Sequence, residues 1–75
     1  MFKKKIEADV GEYVKARTRR GEVNGVLVPF RGRKMLQTRL GIEDVELVTA
    51  VTPTQSLGED TRHFLRAVRR RHGWL

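Results

Sequence analysis

Glycines at 21, 32 and 41 cut the stretch from Tyr13 to Val51 into segments of about ten residues. Each segment alternates apolar with polar side chains, and that period of two is the pattern of a half-buried strand. Short strands at this spacing, joined by glycine-bearing turns, predict an all-β sheet or small barrel. The first alternation, Val14, Ala16 and Thr18 against Lys15, Arg17 and Arg19, ends in a hairpin bend at Arg19–Arg20–Gly21–Glu22. A second strand, Val23 to Phe30, is the most apolar. Its internal Gly25 favours a sharp bend, a bulge or close packing of a neighbour, and Pro29 belongs at a strand end or bulge because it donates no ladder hydrogen bond. Arg31–Gly32–Arg33–Lys34 makes the next turn, followed by Met35 to Leu40 and, after Gly41, by Val45 to Val51, apolar enough on both faces to suggest that its second face is covered. Ahead of these, Ile6, Ala8 and Val10 alternate with charged residues and read as a strand-like lead-in; a helical stretch ended by Gly11 is the other reading.

The period changes after Val51. Thr52–Pro53–Thr54–Gln55 matches a capping box with proline at the first helical position, and Ser56–Leu57–Gly58–Glu59 offers a second box. A helix over about 56–72 follows, with Leu57, Thr61, Phe64, Leu65 and Val68 on one face and Arg62, Arg66, Arg69 and Arg70 opposite or flanking. Gly73 suits the residue just past the helix, and Trp74 and Leu75 fold back against it. With 75 residues the chain has room for one domain, 1–75, and one modest core. The predicted fold is a mainly β domain: a small curved antiparallel sheet, or SH3-like barrel, of four to five strands with a C-terminal amphipathic helix.

Chemistry is sparse. Cysteine is absent, so there are no disulfides and no thiolate ligands. His63 and His72 stand nine residues apart without a metal-binding motif. Ser56, the one serine, reads as a helix cap, and the glycines form no phosphate-cradling run. No enzyme activity, cofactor or metal is expected.

Charge carries the functional expectation. Sixteen Lys and Arg against nine Asp and Glu give +7 at neutral pH, which favours a polyanionic partner. Residues 1–41 carry +7 and residues 53–75 carry +3, separated by an acidic segment with Glu43, Asp44 and Glu46. Arg17, Arg19 and Arg20 lead into the first bend, and Arg31, Arg33 and Lys34 sit at the second. If both bends share one rim they would contact the phosphates of RNA or DNA, RNA being the first candidate. Arg66, Arg69 and Arg70 form a second patch. The other account is that charged turns only keep a small β protein soluble and block edge pairing. Tyr13 is the best candidate for stacking on a base; Phe2, Phe30 and Trp74 read as core or cap. The chain lacks a signal-peptide pattern and any run long enough to span a membrane, so a cytoplasmic protein without membrane contact is expected. A homo-oligomer, or a structural or adaptor subunit meeting an acidic protein partner, is the competing expectation.

The stretch VKARTRRGEVNGVLVPFRGRKMLQTRL resembles the first motif of Sm-like proteins, and more generally small SH3-like barrels. Gly25, Leu27 and Phe30 match a glycine, a leucine two residues on and an aromatic three beyond that, with Met35 one position late for the methionine. Arg31 and Leu36 stand where that pattern has aspartate and asparagine, and its second short motif is missing. The resemblance implies a bent five-stranded sheet, ring-shaped homo-oligomers and RNA bound near the turns.

Overall fold

The structure, a computed structural model, describes residues 8–74. Five strands form one antiparallel sheet: β1 (Tyr13–Thr18), β2 (Gly21–Phe30), β3 (Arg33–Thr38), β4 (Gly41–Glu43) and β5 (Leu47–Val51), in the spatial order β4-β3-β2-β1-β5. A 3₁₀ turn (Thr54–Ser56) leads to one helix, α1 (Glu59–Arg71). The expected mainly β domain with a C-terminal helix is present. The ladder is open, because β4 and β5 are its two edges and do not pair with each other, so the sheet is not a closed barrel.

The sheet is nevertheless strongly curled. β4 and β5 lie at opposite edges, four strand spacings apart, or about 19 Å if the sheet were flat. The chain between Glu43 and Leu47 reaches at most about 14 Å when fully extended, so the two edges must bend toward one another. Val14, Ala16, Leu27, Leu36 and Val45 fill the inside of that curl, joined by Ala8 and flanked by Val23 and Val48. Gly25 is where β2 approaches its neighbour most closely. A Cβ there would lie 2.5 Å from the Gln37 carbonyl oxygen and 2.9 Å from Leu36 Cγ.

The other face of β2 and β3 is covered as well. Val26, Val28 and Met35 pack with Leu57, Leu65 and Val68, with Tyr13 and Phe64 alongside. Register explains the division: Val26 opposes Gln37 and Val28 opposes Met35, while Leu27 opposes Leu36 on the inner face. Burial on both sides is why residues 26–28 read as an unbroken apolar run.

Several elements differ from expectation. The lead-in is a bend and turn at residues 8–12, closed by the Glu12 N–H donating to the Asp9 carbonyl at 3.3 Å; its Lys5–Glu7 part lies outside the described residues. The helix begins at Glu59 with Gly58 as N-cap and no side-chain cap, so Ser56 ends the 3₁₀ turn and caps nothing. The cause is Leu57, buried among the helix-side core residues with an extended backbone (φ −83°, ψ 143°) that interrupts the helical path. β5 is an exposed edge: Leu47 and Val51 are about half exposed, while Val45, in the connection before it, is buried. Leu40 lies in a turn rather than a strand and is 77% exposed.

The C-terminal end follows expectation. Gly73 has φ 76°, its N–H donates to the Arg70 carbonyl at 3.0 Å, and the Trp74 N–H donates to the Arg69 carbonyl at 2.8 Å. This double bond pattern is a Schellman cap. Trp74 folds back as foreseen, with the indole near Gly11 and parallel to the His72 ring at 4.5 Å.

Gly25→Ala should destabilise the domain by roughly 1–3 kcal/mol, the cost of forcing a methyl group into occupied space. Urea denaturation reads this as a lower midpoint; an unchanged midpoint would mean that β2 and β3 are not in such close contact.

Candidate nucleic-acid interface

Hairpins alternate ends, and this decides where the arginines go. The Arg19–Arg20 turn joins β1 to β2 and lies at the same end of the sheet as the Arg39–Leu40 turn between β3 and β4. The Arg31–Gly32 turn sits at the far end of the ten-residue β2. The expectation of one shared rim for the two basic bends is therefore not met. Acidic groups also occupy part of each cluster. Arg20 pairs with Glu43 at 2.6 Å, and Arg33 pairs with Asp44, so the adjacent carboxylates of the acidic segment draw one arginine from each bend. Lys34 donates from Nζ to the Ala8 carbonyl at 2.8 Å. Arg31 lies over the Phe30 ring at 5.3 Å. Arg17 is exposed on β1 opposite Glu22, and Arg19 is exposed in its turn.

The turns at the near end are built alike, a repetition the reading of the sequence missed. Thr18-Arg19-Arg20-Gly21 and Thr38-Arg39-Leu40-Gly41 share a Thr-Arg-x-Gly pattern twenty residues apart. In each, the threonine Oγ1 donates to the glycine carbonyl, at 3.1 and 3.0 Å, and accepts the N–H two residues on, at 3.1 and 3.0 Å. Gly21 and Gly41 close these turns at φ 101° and 142°, where a side chain would be strained. The pattern places Arg39 in the position equivalent to Arg19, but Arg39 lies 4.8 Å over the Phe64 ring and is spent on holding α1.

The helix gathers what the turns do not. Leu65 and Val68 face the sheet. Arg62, Arg66 and Arg70 recur every fourth residue and are exposed, forming a row on the opposite face. Successive members are separated by a rise of about 6 Å. Among the described residues the ion pairs are those of Arg20 and Arg33, so this row is electrostatically open. Glu59, Arg62, His63 and Arg66 line a shallow hollow of about 220 Å³ along it. Arg69 has a different use: its Nε and Nη2 both donate to the Gly11 carbonyl, at 3.2 and 2.9 Å, tying the helix to the turn before β1. Of the three helix arginines singled out by sequence, Arg66 and Arg70 are on the open row and Arg69 is structural. Arg62, the third member of the row, is legible from its fourfold spacing. Tyr13 is half-buried against the helix-side core rather than free for stacking.

Among the described residues no three His, Cys, Asp or Glu side chains are grouped to hold a metal ion, and no helix is long and apolar enough to cross a membrane. The chain matches no family model, no curated protein and no solved structure.

Arg31 is the described non-glycine residue at positive φ, 55°. That conformation costs an ordinary L-residue about 1 kcal/mol, and asparagine tolerates it better. Arg31→Asn should therefore raise the urea midpoint, by an amount equivalent to as much as about 1 kcal/mol; a fall would show that the Phe30 contact outweighs the backbone strain.

Proposed function

We propose that this chain is a non-catalytic, cytoplasmic nucleic-acid-binding protein, with RNA the first candidate and DNA the other, and that the outward face of α1 is its principal phosphate-binding surface. The observation that carries this reading is the row Arg62, Arg66 and Arg70, exposed and without carboxylate partners among the described residues. Leu65 and Val68 anchor the helix beneath it, so the guanidinium groups start from a fixed platform. Exposed Arg17 and Arg19 add positive charge on the sheet. Phosphate contacts of this kind fix position and carry no base readout by themselves.

A titration of a labelled single-stranded RNA oligonucleotide at rising salt tests the reading. Affinity should fall steeply with salt. Replacing Arg62, Arg66 and Arg70 together by glutamine should weaken binding and flatten the logarithmic salt slope by about 2. Arg33→Gln, which removes a residue already paired with Asp44, should have a smaller effect. Absence of binding at low salt would remove the proposal.

A second reading, an oligomer or a structural subunit of a larger assembly, rests on the open edges. β5 is the charge-free run LVTAV, with Leu47 49% and Val51 45% exposed, and Ile42 on β4 is 37% exposed. Natural edge strands usually carry charge, proline or cover. The Sm-like resemblance implies a ring, which would need such edges paired between copies. If they are paired, Leu47→Lys with Val51→Lys should lower the solution mass to that of one chain, 8.7 kDa, by sedimentation; a wild-type protein already monomeric at high concentration would exclude it.

A further inference from the structure

Where α1 ends against the turn at residues 9–12, a hollow of about 310 Å³ is lined by Val10, Gly11, Glu12, Arg69 and Trp74. We infer that this hollow takes one unpaired base of a single-stranded nucleic acid, stacked on the aromatic pair formed by Trp74 and His72 while the flanking phosphates lie on the helix arginines. The inference rests on the nucleic-acid reading above and names the form of nucleic acid it would prefer.

The hollow and its surroundings match the base and the phosphates of a nucleotide. The Trp74 and His72 rings are stacked at 4.5 Å and 15°, and Trp74 remains 38% exposed; a preformed aromatic platform is what sequence-tolerant base stacking requires. Gly11 borders the indole closely, since a Cβ there would lie in van der Waals contact with the ring at 3.8 Å. The Glu12 carboxylate forms the wall. Its Oε1 accepts the Asp9 N–H at 2.8 Å, and an ionised carboxylate has further acceptor capacity to offer a base amino group. Charge then continues along the helix: Arg70 and Arg71 are exposed next to the cap, and Arg66 lies one turn back. The Arg69 guanidinium is held in place by its two bonds to the Gly11 carbonyl, so this wall needs no reordering on binding. A duplex offers phosphates to the arginines but keeps its bases stacked and out of reach of the indole.

Trp74 is the one tryptophan in the chain, so its emission reports the hollow directly. The intact protein is titrated with a fluorophore-labelled twelve-nucleotide oligo(C) and, separately, with a duplex of equal length, following anisotropy for binding and indole emission for stacking. The expected result is that oligo(C) quenches Trp74 in step with the anisotropy change, while the duplex binds and leaves emission nearly unchanged. Trp74→Ala, checked for folding by circular dichroism, should lose about tenfold in affinity for oligo(C) and retain its duplex affinity. Binding of oligo(C) with unmoved indole emission overturns this inference and leaves the phosphate-binding reading standing. Equal quenching by duplex also overturns it. No binding of either probe removes both. If Trp74→Ala does not fold, the wild-type quenching comparison still decides.

Discussion

The connection from β4 to β5 is too short for a flat sheet, and most of the architecture follows from that. The two strands are opposite edges, and only residues 44–46 link them, so the sheet has to curl around whatever lies inside. Val14, Ala16, Leu27 and Leu36 are that filling. Curling is sterically possible because β2 carries Gly25 at its closest approach to β3, where even a methyl group would overlap the Gln37 carbonyl. Once the inside is filled, Val26, Val28 and Met35 are left on the outside and must be covered. The helix does this, and in turning Leu65 and Val68 inward it turns Arg62, Arg66 and Arg70 outward. The position of the arginine row is thus a consequence of sheet curvature.

Much of this was legible in the sequence. The turn glycines marked the strand boundaries, Val23 to Phe30 stood out as the most apolar strand, Gly25 signalled a bend, a bulge or close packing, and Gly73 with Trp74 marked the helix end. These are local rules acting on local residues. What the sequence did not reveal depended on partners far away in the chain. Ser56 had the right chemistry for a cap, but burying Leu57 took an extended backbone that only the assembled core demands. The apolar residues of β5 looked like a strand covered on both sides, whereas strand order makes β5 an edge. The Thr-Arg-x-Gly repeat is local chemistry and puts Arg39 in the position equivalent to Arg19, whereas the shared end of the two turns follows from the strand order.

The arginines divide by what they touch. Arg20 and Arg33 meet Glu43 and Asp44, Arg39 lies on Phe64, and Arg69 holds Gly11. Charge density along the sequence identified the basic clusters, but it is blind to compensation by an acidic segment brought alongside them by folding. The bends looked like the strongest site because they concentrate arginine in sequence, and they are weakened as a site because the fold concentrates acid there too. The exposed Arg33–Asp44 pair adds little stability, yet both pairs lower the local field that an anionic ligand would feel.

Small size sets the last tension. A chain of 75 residues cannot bury all its apolar surface, and among the described residues the large exposed apolar groups are Leu47 and Val51 on one edge, Ile42 with Leu40 on and beside the other, Val10 and Trp74 where the helix end meets the turn before β1, and Phe30 under the Arg31 guanidinium. The edges have backbone groups available for pairing as well as apolar side chains, so they suit a protein neighbour. Trp74 has a ring face, a carboxylate wall and arginines nearby, which suit a base. The two kinds of exposed apolar group thus differ in the polar chemistry beside them. That difference, more than net charge, separates the surface proposed for assembly from the surface proposed for ligand, and the two proposals call on different residues.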